Sequence, residues 1–159
     1  MIRIEPLQRA DLSTLVGFVI GIQEFERAAV PELKPGAEVA PNYAAGLMRT
    51  VTARNGSILL AKDDDKPVGF VCAWIADDDD PLLREEVRRH AYVSDIFVAE
   101  SHRRKGVARM LMEAIEAAMR QRGCQRIRVT SKAANRGALT FYNATSYKPY
   151  EILFTKSLG

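Results

Sequence analysis

The feature that most constrains the fold is a strand, a short loop and a helix that follow one another between residues 92 and 123. Residues 92–98 are rich in β-branched and aromatic side chains, which predicts a central strand. After a basic loop, apolar residues recur at helical spacing, and Gly123 supplies the C-terminal stop. The apolar positions are Val107, Met110, Leu111, Ala114, Ile115 and Ala118. The chain therefore has to bury a helix against a sheet, in an α/β arrangement.

Further strands and helices surround this unit. Strands are predicted at residues 2–5, 57–62, 67–76 and 125–131, with two short final strands within residues 147–154 around Pro149. Helices are predicted from Asp11 to about Arg27 with Asp11 as the cap, and at 41–52 with Tyr43 facing inward. A short helix through Arg89 and a helix at 135–143 with Asn135 as the cap are predicted as well. No repeat or internal linker interrupts this order. Residues 1–159 are therefore expected to form one domain with a mixed sheet flanked by helices.

The composition is that of a globular protein with little net charge. Hydrophobic residues make up 47% and charged residues 27%, and 23 basic against 20 acidic residues give a net charge of +3. So small an excess does not favour a nucleic-acid partner. The longest uncharged stretch, residues 12–23, is too short to cross a bilayer, and no signal-peptide pattern opens the chain. Reduced thiols are expected at Cys72 and Cys124, and a cytoplasmic location with no membrane partner is predicted.

The basic loop has the properties of an anion site. Its residues are Arg103, Arg104, Lys105, Gly106, Val107 and Ala108. Amides at a helix N-terminus have no partners inside the helix, the macrodipole makes that end positive, and Gly106 lets a ligand approach the backbone. An ordinary strand-to-helix turn with solvated basic side chains is the simpler interpretation. The chain contains neither Gly-x-Gly-x-x-Gly nor Gly-Lys-Ser/Thr, so dinucleotide and ATPase loops do not fit.

The pattern Arg103-x-x-Gly106-x-Ala108 after a central strand resembles the signature of the GNAT superfamily of N-acetyltransferases. The downstream helix resembles the family as well, through Asn135, Ala138, Phe141 and Tyr142. Ser146-Tyr147 departs from the family's usual Gly-Phe. The resemblance extends over nearly the whole chain. It implies a GNAT-like α/β (α+β) fold with a mostly antiparallel twisted sheet of six to seven strands and about four helices.

The resemblance also implies a ligand and its place. Acetyl-CoA, as co-substrate, would lie in a V-shaped opening between the central strand and its parallel neighbour. The pantetheine arm would pair with the backbone of Phe97 and Val98, and the pyrophosphate would lie on the amides of the basic loop, from Arg103 to Ala108. Asn135 would reach the pantetheine, and Tyr142 would point at the thioester sulfur. No metal site is expected.

The chemistry of such a reaction needs an acid and a base. A phenol such as Tyr142 can give a proton to the departing thiolate, whose thiol pKa is about 8.5. The simpler interpretation of Tyr142 is a half-buried helix tyrosine. Asp95, on the central strand, is the candidate base for the attacking amine. A water relayed by Ser94 or by backbone carbonyls is an equal competitor.

The resemblance implies acetyl transfer from acetyl-CoA to a primary amine in a ternary complex. Direct attack by the amine is expected, because no motif surrounds a nucleophilic serine or cysteine. A non-catalytic acyl-CoA-binding sensor or regulatory module is the alternative. An amino acid, a polyamine, a peptide amine and an aminoglycoside all remain open as acceptors. Glu24 and Glu26 end the first helix near the place where similar proteins hold the acceptor, and they also fit a solvent face. By analogy alone, a homodimer is also open.

Overall fold

Five strands form one mixed sheet in a computed structural model that describes residues 1–159. The strands are β1 (Ile2–Pro6), β2 (Ser57–Asp63), β3 (Lys66–Asp77), β4 (Arg89–Val98) and β5 (Ile127–Val129), and they lie side by side in that order. Strands β1 to β4 pair antiparallel, whereas β5 pairs parallel to β4. The parallel pair is possible because a helical crossover separates β4 from β5 in the chain.

Five helices cover the sheet. They are α1 (Leu12–Arg27), α2 (Gly36–Ala53), α3 (Glu85–Arg88), α4 (Val107–Gln121) and α5 (Arg136–Ala144). Helices α1 and α2 bury Leu15, Val19, Ala44 and Leu47 in one apolar cluster with the side chains of β2 and β3 that face them. Residues of α4, together with Tyr142 of α5, form a second cluster with the opposite face of the sheet. Alternating side chains along the strands thus supply both cores.

The hairpin between β2 and β3 shows why the local prediction succeeded. Asp64 and Asp65 form its two-residue turn, and both have positive φ angles, of 44° and 69°. Positive φ at both central positions matches the twist of the flanking strands, and Asp tolerates this conformation better than most residues. The strand pair predicted on either side of this acidic turn is confirmed.

Helix α2 begins five residues before the predicted start, at Gly36 instead of Pro41. Pro41 lies inside the helix, near its N-terminus, where the absent N–H removes one hydrogen bond to the backbone of Ala37. The Glu24 carboxylate accepts a hydrogen bond from Gly36 N at 2.6 Å and so satisfies an amide at the start of the helix. This contact with Glu24 of α1 therefore supports an additional turn of α2 on the N-terminal side of Pro41. Asp11 accepts a hydrogen bond from Gln8 N, not from an amide of α1, so its predicted capping role is wrong.

The mixed α/β fold is confirmed, but the predicted six to seven strands and four helices are corrected to five strands and five helices. Residues 145–159 contain no strand, so the two strands expected around Pro149 are absent. Instead, the Tyr150 ring lies beneath the guanidinium groups of Arg126 and Arg128, 5.2 and 4.8 Å from its centroid. Pro149 lacks the N–H that a ladder needs, and β5 presents only three residues to pair with.

Both cysteines are buried free thiols, Cys72 in the α1/α2 cluster and Cys124 in the α4 cluster. No helix of the protein combines the length and apolar character that spanning a membrane requires.

Candidate active site

A β-bulge divides β4 into two halves. The pairing of β3 with β4 runs from Asp77 opposite Arg89 to Ala73 opposite Val93, and it resumes with Cys72 opposite Asp95. Ser94 is therefore the extra residue, without an opposite partner. On its other side, β4 pairs with β5 only through residues 91–93. Beyond Ser94 the two parallel strands separate, and this opening matches the V-shaped gap that the sequence resemblance implies.

The separated half of β4 has backbone groups that pair with neither neighbouring strand. Ala99 N donates to Val68 O at 2.8 Å, and hydrogen-bonded pairs alternate along an antiparallel ladder, so the main chains of Phe97 and Asp95 face β3. The N–H and C=O groups of Ile96 and Val98 consequently face the gap. We call these groups the open edge. The family resemblance implied that a ligand pairs with the backbone of Phe97 and Val98. The register places Val98 on the open edge, with Ile96 instead of Phe97 beside it.

The basic loop joins the open edge to the start of α4. Gly106 is the N-cap residue with a φ of 82°, and an added Cβ there would meet no atom within 4 Å. Arg104 also has a positive φ, of 59°. The amides of residues 104–109 donate to no backbone acceptor, and the first bond of the helix runs from Met110 N to Gly106 O at 3.0 Å. A row of unpaired amides at a positive helix end is an anion site.

The basic side chains of this loop point in different directions. Arg103 turns back toward β4, where its Nε donates to Val98 O at 3.1 Å. Its guanidinium also lies over the rings of Phe25 and Phe97, 5.3 and 6.0 Å from their centroids. Arg104 and Lys105 are exposed. Arg103 therefore ties the loop to α1 and β4, and the amides, with Arg104 and Lys105, are left to face a phosphate group.

Tyr142 lies on the α4 side of the sheet, in the cluster that contains Val93 and Val107. It is 8% exposed, and its ring contacts those of Phe141 and Tyr147 at centroid distances of 5.5 Å. Burial raises the pKa of the Tyr142 phenol to about 12. The Tyr147 hydroxyl, by contrast, donates to Glu116 Oε1 at 2.7 Å. Tyr142 is thus a protonated phenol whose hydroxyl has no partner within the protein.

Asn135 begins α5. Its Oδ1 accepts a hydrogen bond from Ala138 N at 3.1 Å, which confirms the predicted cap. The side-chain nitrogen donates to no group of the protein and is free to donate to a ligand.

Asp95 lies on the opposite face from Tyr142, toward α1 and α2. The Tyr43 hydroxyl is 3.0 Å from Asp95 Oδ2 and 3.2 Å from Oδ1. Burial raises the pKa of the Asp95 carboxyl, whereas the nearby hydroxyls of Ser94 and Tyr43 oppose this rise. A carboxylate with a raised pKa is a better proton acceptor near neutral pH. The sequence placed Tyr43 on the inward face of α2 as a core residue, and only the fold brings it to Asp95.

The two glutamates of α1 have different surroundings. Glu24 is engaged by Gly36 N and by Arg27, which lower the pKa of its carboxyl. Burial raises the pKa of Glu26; Lys132 opposes the rise and the charge of Asp95 adds to it. Glu24 is therefore structural, and Glu26 is a second carboxyl on the Asp95 side of the gap.

Comparisons with known proteins agree with this geometry. Residues 22–146 match the Acetyltransferase (GNAT) family. The aminoglycoside N-acetyltransferase AAC(6')-Iy, solved with CoA, is 17% identical with a TM-score of 0.73, over 100% of this chain and 96% of that one. A GCN5-related N-acetyltransferase from Ralstonia eutropha JMP134 is 15% identical with a TM-score of 0.78, over the whole of both chains. A predicted acetyltransferase from Clostridium acetobutylicum, solved with acetyl-CoA, is 13% identical with a TM-score of 0.75, over 99% of this chain and 97% of that one.

The structural likenesses establish the shared fold, and the family match spans well over half of the sequence, including the split strand, the basic loop and α5. The chain belongs to the GNAT family of acetyltransferases and is an enzyme of that class.

Proposed function

We propose that this protein transfers an acetyl group from acetyl-CoA to a primary amine by direct attack in a ternary complex. The observation that carries the proposal is the continuous run from the open edge of β4 to the unpaired amides of residues 104–109. An extended, amide-bearing arm with an anionic end matches such a run, because the arm can add to a strand edge and the anion can bind a helix N-terminus.

The proposed contacts of acetyl-CoA follow from the free groups. The pyrophosphate binds the amides of the basic loop, with Arg104 and Lys105 adding positive charge. The pantetheine amides pair with Ile96 and Val98, and Arg103 has to release the Val98 carbonyl or share it. The free side-chain nitrogen of Asn135 donates to the pantetheine from the far side of the gap.

The acid and the base lie on opposite faces of the sheet, which suits a ternary complex. The amine approaches from the α1/α2 face, and its nitrogen attacks the thioester carbonyl carbon. Asp95 takes the proton that this nitrogen loses. The C–S bond then breaks and the CoA thiolate departs on the α4/α5 face, where Tyr142 donates to it. Because its pKa is about 12, Tyr142 is protonated at neutral pH, and solvent restores any proton that it gives.

We further propose that the acceptor carries positive charge beyond the reacting amine. Two carboxyls, Asp95 and Glu26, lie on the acceptor face, and Coulomb attraction between such groups and a polyamine or amino sugar favours its binding. The structurally similar aminoglycoside N-acetyltransferase AAC(6')-Iy has also been solved with the bisubstrate analogue CoA-S-monomethyl-acetylneamine. A cytoplasmic location and a homodimer stay predictions from the sequence.

The test is release of free CoA from acetyl-CoA against a panel of monoamines, polyamines, amino acids and aminoglycosides. We expect turnover with at least one amine and higher kcat/KM for those with several charges. Tight acetyl-CoA binding without turnover on any amine would instead support the sensor alternative.

Replacing Tyr142 with Phe tests the acid. We expect kcat to fall by a factor of about 10 to 10⁴, the range for a lost general acid, with acetyl-CoA affinity preserved. Tyr147→Phe is the matched control, because it also removes one phenol from this aromatic group but its hydroxyl is engaged by Glu116. Equal rates in wild type and Tyr142→Phe would remove Tyr142 from the mechanism.

A further inference from the structure

We propose that Tyr43 is a positioning residue that holds the Asp95 carboxylate at the gap and thereby couples helix α2 to the proton-accepting group. This inference rests on the proposed function, since it assigns a partner to the proposed base. The two oxygens of Asp95 lie 3.0 and 3.2 Å from the Tyr43 hydroxyl, so its single proton can be donated to either oxygen. The hydroxyl therefore restricts rotation of the carboxylate about its last torsion.

The helix that carries Tyr43 is firmly held. Ala40, Ala44 and Leu47, one turn before, beside and one turn after Tyr43, are buried against the sheet and α1. The start of α2 is held to α1 through Gly36 N and the Glu24 carboxylate. The Tyr43 side chain itself is 44% exposed, so it borders the space that an acceptor has to cross to reach Asp95. The position of Asp95 thus depends on α2, a helix that is packed firmly on the face from which the acceptor would approach.

The groups that face Asp95 come from several elements. Tyr43 approaches from α2, Cys72 is opposite on β3, and Ser94 precedes it on β4. Tyr92, also on β4, lies within Coulomb range of Tyr43. Glu26 lies within Coulomb range on α1, and Lys132, beyond β5, acts on Glu26. Burial disfavours the charged carboxylate, and the hydroxyls of Ser94 and Tyr43 stabilise it. Without the Tyr43 hydroxyl, protonated Asp95 becomes more favourable, and a base that is protonated accepts no proton from the amine.

Tyr43→Phe tests this inference while keeping the ring and its packing. We expect the acid limb of the kcat/KM profile to move to higher pH by about one unit. At pH values below this limb, kcat/KM should be about tenfold lower than in the wild type, and at pH values above it the two should be equal. The affinity for acetyl-CoA should not change. Tyr92→Phe is the control, because the Tyr92 hydroxyl shares a hydrogen bond with Thr130 Oγ1 at 3.3 Å and none with Asp95. The acid limb of the Tyr92→Phe profile should lie at the same pH as that of the wild type.

A measurement without turnover separates this inference from the proposed function. The Asp95 carboxyl carbon can be titrated by NMR in the wild type and in both variants. An upward shift of its midpoint in Tyr43→Phe alone supports the positioning role. An unchanged midpoint, or a profile lowered equally at every pH, would overturn it. If the titration shifts but no amine is acetylated, it is the proposed function that fails.

Discussion

The two halves of β4 share one neighbour and differ in the other. Both halves pair with β3 on one side, but only residues 91–93 pair with β5 on the other, and residues 94–98 do not. Val93 in the first half is fully buried, whereas every residue from Ser94 to Val98 is partly exposed. The first half serves as a core strand, and the second half offers its backbone to a ligand.

One inserted residue is enough to convert a core strand into an edge that can bind a ligand. The extra residue, Ser94, changes which following residues face β3 and which face the gap. It also places Asp95 on the α1/α2 face, beside Tyr43. The open edge and the position of Asp95, the candidate base, therefore both result from the bulge at Ser94.

The largest effect is expected from Asp95→Asn, which acts at the first residue after the bulge. Asparagine keeps the size of the side chain and can still accept from Tyr43, but it cannot take a proton from an amine. We expect kcat to fall by a factor of about 10² to 10⁴. Steady-state assays with the best amine measure this. Asp79→Asn, at an exposed loop residue, is the control and should keep the wild-type rate. A rate within twofold of wild type for Asp95→Asn would favour a water relay as the base.

Two proline variants test whether the first half of β4 stabilises the fold and the second half binds the ligand. Val93→Pro removes an N–H from the half paired with β5, and Ile96→Pro removes an N–H that faces the gap. We expect the free energy of unfolding to fall by about 1–3 kcal/mol more in Val93→Pro, because it leaves a carbonyl of β5 without its donor next to the fully buried Val93. Ile96→Pro should instead weaken acetyl-CoA binding. Denaturant titrations and calorimetric binding measure the two effects. Equal losses of stability would contradict the assignment of the open edge.

A smaller effect is expected at Gly106. Valine there has to adopt a φ of 82°, which costs a branched residue about 1–2 kcal/mol or shifts the loop amides. We expect the Kd for acetyl-CoA to rise about tenfold. Gly17→Val is the matched control: an added Cβ has nothing within 4 Å there either, but Gly17 lies within α1. Its binding should equal that of the wild type. Unchanged affinity for acetyl-CoA in Gly106→Val would show that the basic loop does not bind the pyrophosphate.

The parts of the site that sequence could predict are those made by local chemistry. Gly106 at a strand-to-helix turn and Asn135 at a helix start were both predictable, since a positive φ and a capped amide depend on a few neighbouring residues. The family resemblance supplied Tyr142 and Asp95 as candidates. Their roles stay proposals, but the structure places them on opposite faces of the sheet.

The parts that sequence could not predict depend on register and on distant contacts. Phe97 and Val98 are adjacent, so their backbone groups alternate and cannot both face the gap; the bulge at Ser94 decides between them. The Tyr43–Asp95 contact joins residues 52 positions apart, which no local pattern reveals. No strand follows residue 144, and Tyr150 instead packs on Arg126 and Arg128, a contact between residues more than twenty positions apart.

Amide hydrogen exchange at Ile96, Phe97 and Val98, resolved by NMR with and without acetyl-CoA, reports directly on the open edge. The open edge predicts that the amides of Ile96 and Val98 exchange rapidly in the free protein and become protected when acetyl-CoA binds. The Phe97 amide, bonded to β3, should be protected in both states. Protection that changes at Phe97 while Ile96 and Val98 stay unchanged would contradict the account.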